Sequence, residues 1–394
     1  MLVSWGGPRA SVAFLFIGGP HQVFHTAPVA AELSKDGDVR VDCLFADADS
    51  AALIERVIDL TDADDLRVTP LDRPWLADAL ARLSGKASAS KLPLLAANRR
   101  RLADYDAIVV PERTSAALKR MGVTRPQLIH LRHGAGDRAP ESERRLNQFD
   151  LVVVPGEKDR RRALTHGVSP LKLAIGGYVK LDLMAQAGAR ARPLFDNQRP
   201  TVLYNPHFDR SLSSWDVMGR PVIDAFAQQD RFNLVVAPHI RLFEDASDSE
   251  RAAIEALAVP GRIRVDLGSE ASVDMTYTLG ADIYLGDVSS QVYEFIATPR
   301  PCAFLNGHGV AWRDNPRYAC WSWGEVANRG DDILAAVDRA VARQPQQVAA
   351  QRHALVDAFG HRIAGSARRS ANLVRQATGL PVGAAGFASE ARAS

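Results

Sequence analysis

The sequence predicts an α/β protein of two doubly wound domains in tandem. Short β-rich apolar runs alternate with amphipathic helical stretches, the rhythm of a parallel sheet with crossover helices. The series runs twice, on either side of a small, basic, proline-punctuated segment, "MAQAGARARPLFDNQRP" at 184–200. At 394 residues the chain is also too long for one ordinary core, so two domains of roughly 150–200 residues are expected.

The first series opens on "SVAFLFI" at 11–17, continues through a helix near 26–35, "VRVDCLFA" at 39–46, a helix near 50–58 and "LRVTPL" at 66–71, and enters a long helical and loop region. It resumes with "YDAIVVP" at 105–111, a helix near 114–120, "QLIHLRHG" at 127–134 and "FDLVVVP" at 149–155. The second series has "TVLYNPH" at 201–207, a helix near 217–228, "FNLVVAPH" at 232–239, a helix near 249–257 and "IRVDLG" at 263–268. It ends with "ADIYLGD" at 281–287, a helix near 290–297 and "PCAFLN" at 301–306. The expected division is a first domain over 1–185, a linker over 186–200, a second domain over 201–350 and closing helices over 351–378, supplied by a periodic stretch at 331–377. The small-residue tail at 379–394 is expected to be disordered.

Hydrophobic content of 46% and charged content of 24% are those of a soluble globular protein. The 48 basic and 46 acidic residues leave a formal charge of +2, which gives no global reason to expect nucleic-acid binding. Any anion site must be local. Cys43, Cys302 and Cys320 lie far apart, without the spacing of a zinc site or a disulfide framework, and fit a reducing cytoplasm. The apolar run Val12 to Ile17 is too short for a signal peptide or a membrane span and reads as a buried strand. No other run approaches the roughly 18 apolar residues of a spanning helix, so membrane contact would be peripheral, at the inner face of the cytoplasmic membrane.

In such sheets ligands sit outside the carboxyl ends of the strands, so the chemistry is sought there. No G-x-x-x-x-G-K-[ST] loop is present. "FIGGPHQVFH" places Gly18 and Gly19 after the first strand, either as a tight turn or as a weak dinucleotide-type loop, with His21 and His25 beside it. "LRHGAGD" places His133, Gly134, Gly136 and Asp137 past a strand end. There glycines permit close backbone approach and His133 could take a proton from a hydroxyl, with Asp137 orienting the imidazole. A glycine turn with an exposed histidine is the plainer reading. "LYNPHFDRS" ends a strand on Asn205, Pro206 and His207, and "NLVVAPHIRL" ends another on His239, with Arg241 two residues on. In "GDVSSQVYEF", Asp287, Ser289 and Ser290 precede a helix and Glu294 follows one turn later. The serines are a helix cap or, with the helix amides, a phosphate seat, and Glu294 could meet ribose hydroxyls. No acidic cluster of metal-ligand type appears, and no metal is expected. "SGKASASKLPLLAANRRR" at 84–101 is either a solvated loop before a helix or a basic and apolar contact for an acceptor or an anionic membrane.

Five of these segments, in order over about residues 127–310, resemble the CDP-glycerol glycerophosphotransferase family, the enzymes related to teichoic-acid polymerases. "LGDVSSQVYEFIATPRPCAFLN" resembles its "TDYSS…E…RP…F" signature, "RHGAGD" its "HG" motif, "LYNPHFDRS" its "LYAPTFR" segment, "APHIRL" its "PH" segment, and "IGGYVKLDLM" at 175–184 its "GYPRxDxL" hinge. "RHGAGD" lacks the Thr-Pro that commonly follows "HG", "YNPHF" replaces "YAPTF", and Lys180 stands where the family usually has arginine. The first 126 residues match only in strand–helix pattern.

The resemblance implies a GT-B architecture, two Rossmann-like domains facing a cleft with C-terminal helices crossing back. It implies His133 and His239 at the reacting phosphate and a donor held mainly by the second domain on Ser289 and Ser290, with Asp287 before them and Lys180 at the place of the family's arginine. Arg241, Asn205, Glu294 and Gly134 are expected to add donor contacts. The implied partners are a nucleotide-diphosphate donor, CDP-linked and acting as substrate with no cofactor, and a hydroxyl acceptor, lipid-linked or not. A GT-B glycosyltransferase using a nucleotide sugar, a nucleotide-sugar 2-epimerase and a non-catalytic nucleotide-binding protein are the alternatives.

Overall fold

The computed structural model describes residues 10–84, 87–137, 142–187 and 193–382. The chain forms two compact units: Met1–His133 with Glu141–Ala187 and Asp357–Ser394, and Gly134–Pro140 with Gly188–Val356. The "RHGAGD" segment therefore divides between units after its histidine. The tail from 383 onward and residues 188–192 of the expected linker lie outside the described residues.

The first unit holds a seven-stranded sheet in the order β3-β2-β1-β4-β5-β6-β7. Its strands are β1 Ala10–Phe16, β2 Val39–Phe45, β3 Arg67–Pro70, β4 Ala107–Val110, β5 Gln127–Leu131, β6 Leu151–Val154 and β7 Leu173–Ile175. All its pairings are parallel. Helices α1 Val23–Ser34, α2 Ala48–Thr61, α3 Trp75–Ser84, α4 Lys91–Ala103, α5 Ala117–Arg120, α6 Glu157–Thr165 and α7 Val179–Gln186 belong to the same unit. Continuous apolar runs such as that of β1 are what a strand covered on both faces requires, and Leu15, Ile108, Leu128 and Val152 meet in one core. Asp47 starts α2 as a cap, accepting from the Ser50 amide at 2.8 Å.

The second unit holds a six-stranded parallel sheet in the order β10-β9-β8-β11-β12-β13. Its strands are β8 Thr201–Asn205, β9 Asn233–Val236, β10 Ile263–Val265, β11 Ile283–Gly286, β12 Cys302–Asn306 and β13 Glu325–Asn328. Its helices are α8 Arg220–Ala227, α9 Asp248–Glu255, α10 Thr276–Gly280 and α11 Gln291–Phe295. A separate core joins Val202, Leu234, Ile283, Ala303 and Val337. Two strands escape sequence reading, β7 and β13. Each is short and lies at a sheet edge, and neither is buried enough to need an unbroken apolar run. The helix expected near 290–297 is α11, only five residues long. All three cysteines are buried free thiols.

The long helix α12 Ile333–Phe359 starts in the second unit, and its last turn, from Asp357, belongs to the first, as does α13 Ser366–Ala377. Within the first unit this return is fixed by charge and stacking. Arg375, 3% exposed, grips Asp38 through two bonds of 2.7 and 2.8 Å and reaches Asp36 at 3.0 Å. Phe359 stacks on Tyr178 at 4.1 Å. Gly156, just before α6, leaves no room for a side chain: a Cβ there would lie 2.3 Å from the Ala358 carbonyl oxygen. Gly156→Ala is therefore expected to cost about 1–3 kcal/mol by overpacking, read as a lower urea midpoint. An unchanged midpoint would mean that the last turn of α12 is not held against α6.

Candidate functional site

In each sheet the order reverses beside the first strand, and the crevice at that switch point is where open α/β sheets receive ligands. In the second unit the switch lies between β8 and β11, whose last residues Asn205 and Gly286 face each other in register. Gly286 is required there, since a Cβ would fall 2.7 Å from the Asn205 carbonyl oxygen. The buried Asn205 amide donates to the Ala237 carbonyl at 2.7 Å and its oxygen accepts from the Tyr284 hydroxyl at 3.3 Å. Expected as a donor contact, Asn205 instead knits the ends of β8, β9 and β11.

Asp287 follows β11 and is fully buried. Its Oδ2 accepts from the His207 and Ser214 amides, each at 2.9 Å, so one carboxylate oxygen holds both ends of the loop that leaves β8. Its Oδ1 is buried with no hydrogen-bond partner. Burial pushes this carboxyl up to about 6, against the two amides and the His308 charge, which pull it down. His308 approaches the same loop, its Nε2 lying 2.9 Å from the Ser213 carbonyl.

The loop so held presents His207 and Phe208, both half-buried. The Phe208 ring lies 4.5 Å from His207 and 4.9 Å from His239, and the exposed Arg241 guanidinium covers it at 4.3 Å. Two backbone contacts fix the imidazole tautomers. His207 Nδ1 accepts from the Asp209 amide at 2.9 Å, and His239 Nδ1 accepts from the Arg241 amide at 3.2 Å. Each ring therefore carries a proton on Nε2, and the pair is wired as donors.

Ser289 is 7% exposed and its Oγ accepts from the Gln291 amide at 3.2 Å, which is the cap reading of the pair. Ser290 is more open and packs beneath the glycine segment. A Cβ on Gly136 would lie 3.3 Å from the Ser290 amide nitrogen, and one on Gly134, at φ +70°, 3.5 Å from its hydroxyl. These glycines allow close approach to Ser290. Asp137 is held by the Tyr293 hydroxyl and by the Cys320 amide at 2.9 Å. Glu294 is buried within α11. A helix of five residues carries little dipole, so the expected macrodipole contribution at Ser289–Ser290 shrinks to that of a single turn.

In the first unit the switch lies between β1 and β4. Gly19 adopts φ +104° and accepts from the Gln22 amide at 3.2 Å, so Gly18–Gly19 is the tight strand-to-helix turn. His133 follows β5, and its Nδ1 lies 2.7 Å from the Pro111 carbonyl past β4. A carbonyl can only accept, so the proton is on Nδ1 and the lone pair on Nε2. The imidazole is oriented by Pro111, a backbone group with no sequence signal, in the role expected of Asp137. Desolvation lowers the His133 pKa to about 4, helped by Arg132 and opposed by the Pro111 bond. His21 and His25 flank it at ring separations of 5.9 and 6.2 Å. His25 is buried, and desolvation first, then the charge of buried Lys180, holds it well below its ordinary value. Among the described residues no group of three or more His, Cys, Asp or Glu side chains is placed to hold a metal ion.

Of the expected site residues, Asp287, Ser289, Ser290, Glu294, Asn205, His239, Arg241, Gly134 and Asp137 belong to the second unit, and His133 and Lys180 to the first. Phe208 is the residue that sequence reading misses. An aromatic directly after a strand-end histidine is its only signal.

No family model matches the chain, and no curated protein matches it in sequence. Likeness appears in three dimensions. A putative UDP-N-acetylglucosamine 2-epimerase from Listeria monocytogenes has TM-score 0.61 at 13% identity, over 93% of this chain and 96% of that one. S. aureus MnaA, solved with UDP, has TM-score 0.63 at 13% identity over 94% and 97%. The wall teichoic acid polymerase TagF, soaked with CDPG, has TM-score 0.61 at 13% identity over 94% and 89%. At this identity the likeness shows the fold, which is that of the GT-B class: two Rossmann-like parallel-sheet domains.

Proposed function

We propose that this chain is a transferase that moves a glycerophosphate-type group, or another CDP-activated group, from a nucleotide donor to a hydroxyl acceptor. The observation that carries this reading is the opposite wiring of the strand-end histidines. His207 and His239 bear N–H donors, as the oxygens of a diphosphate require, whereas His133 bears a lone pair, as a hydroxyl about to lose its proton requires. In this reading the acceptor oxygen attacks the donor phosphorus adjoining the glycerol, its proton passes to His133 Nε2, and the phosphoanhydride bond breaks with its electron pair leaving on CMP. The His207 and His239 N–H groups, Arg241 and the Ser290 hydroxyl meet the charge that develops on the leaving phosphate. The fold likeness to TagF and to UDP-bound MnaA supports a nucleotide diphosphate as donor.

A thermal-shift panel of CDP-glycerol, CDP-ribitol and UDP-, GDP- and CMP-sugars tests the donor. Stabilisation by about 2.7 kcal/mol is expected from a CDP-linked compound at 100 times its Kd. Ser289→Ala with Ser290→Ala should weaken that binding beyond the roughly 1 kcal/mol a lost cap costs. Stabilisation by UDP-N-acetylglucosamine alone, with sugar isomerisation in the absence of acceptor, would replace this reading with an epimerase, the activity named for the Listeria structure.

A further inference from the structure

Of ten exposed large apolar side chains among the described residues, five fall between residues 75 and 92. Trp75 (78% exposed), Leu76, Leu80 and Leu83 (86%) all lie on α3, and Leu92 opens α4, which packs beside it. At 3.6 residues per turn, positions 75, 76, 79, 80 and 83 share an arc of about 140°. Ala77, on the opposite face, is buried. The helix thus turns Ala77 to the core and its large apolar residues to solvent, the reverse of an ordinary surface helix.

The charge of the segment that holds this helix is just as uneven. Residues 67–101 carry eight lysines and arginines against two aspartates, a net of +6 in a chain whose total is +2. Arg73, Arg99 and Arg100 are exposed. We propose that α3 is a docking surface for an anionic lipid bilayer, lying in the plane of the interface with Trp75, Leu76, Leu80 and Leu83 among the acyl chains and the surrounding basic residues on lipid phosphates. A second copy of this chain is the poorer occupant, because self-contact would bring two segments of +6 together. Ten residues rise about 15 Å, half of what spanning needs, and no described helix is long and apolar enough to cross a membrane. Sequence reading offers such a contact in 84–101 as the alternative to a solvated loop. The structure moves its apolar part to α3.

The inference goes beyond the nucleotide reading and stands without it. The full chain is sedimented with vesicles of phosphatidylcholine alone and with vesicles of equal parts phosphatidylcholine and phosphatidylglycerol. Partitioning at least about tenfold stronger into the anionic vesicles, and falling with salt, is expected. Leu76→Glu with Leu83→Glu should lower it at least about tenfold, as should Arg99→Ser with Arg100→Ser. Both leucines are exposed, so the melting temperature and nucleotide binding should match the parent. Should the double glutamate variant melt lower, Trp75→Ala gives the same comparison. Equal partitioning into both vesicles, or variants that bind like the parent, overturns the proposal. So does a dimer in light scattering that Leu76→Glu with Leu83→Glu converts to monomer, which would assign the face to a second copy.

Discussion

Replacing His133 by asparagine is expected to lower turnover of the nucleotide donor by about 10²–10⁴-fold while leaving its binding nearly intact. Asparagine is chosen because its amide can still donate to the Pro111 carbonyl, now 2.7 Å from His133 Nδ1, while the basic Nε2 is removed. The pH dependence supplies a second reading of the same residue. In the proposed reaction the working form is the neutral imidazole, so activity is expected to be lost as pH falls through the His133 pKa. Burial lowers that value to about 4, so the acid limb of kcat/KM should lie well below the 6.5 of an unperturbed histidine, with a flat profile from about pH 5 to 8. Donor binding is followed by calorimetry and turnover by release of nucleoside monophosphate. A His133→Asn protein within threefold of the parent would remove His133 from the reaction, and a limb at 6.5 would point to a more solvated group.

The sheets are legible in sequence because parallel strands buried on both faces need unbroken apolar runs, and "AFLFI", "IVV" and "LVVV" provide them. What escapes is short or peripheral. β7 "LAI" is partly exposed, β13 "EVAN" is half polar, and α6 "EKDRRRALT" is too charged to show a helical stripe although it buries Asp159 and Ala163. Its carboxylate lies in a buried charge group with Arg132, Arg162 and Glu143, an arrangement of distant residues that periodicity cannot reveal.

The place to look for a site follows from the same topology, since open α/β sheets receive ligands outside the carboxyl ends of their strands. The roles of the residues there are less legible. Asn205 and Asp287 both look like ligand contacts in sequence, yet Asn205 bonds the Ala237 carbonyl and the Tyr284 hydroxyl, and the Asp287 Oδ2 is taken by the His207 and Ser214 amides. The glycines of "HGAGD" look like room for a ligand, yet the space they leave is taken by Ser290. Side chain to backbone bonds across 32 to 80 residues leave no local pattern, and tautomers even less.

Asp287→Ala is expected to be the most damaging single change in the second unit. It orphans the His207 and Ser214 amides together, at about 1–3 kcal/mol each, and releases the loop that presents His207 and Phe208. Nucleotide affinity should fall along with stability. Asp287→Asn separates shape from charge, because a single oxygen, Oδ2, makes both bonds and an amide oxygen can take its place. The folded-state pKa of Asp287 stands above the ordinary 3.8, at about 6, so the native protein binds the proton more tightly than the unfolded chain. Its stabilising contribution is therefore complete below pH 3.8 and is lost as pH rises through 6, a change of about 3 kcal/mol. The asparagine variant lacks that loss. Measured by urea unfolding across pH 4 to 7, it should start below the parent, since its amide occupies the partnerless place of Oδ1, and gain on it as pH rises. Parallel curves for the two proteins would mean that burial does not raise the Asp287 carboxyl above its ordinary value.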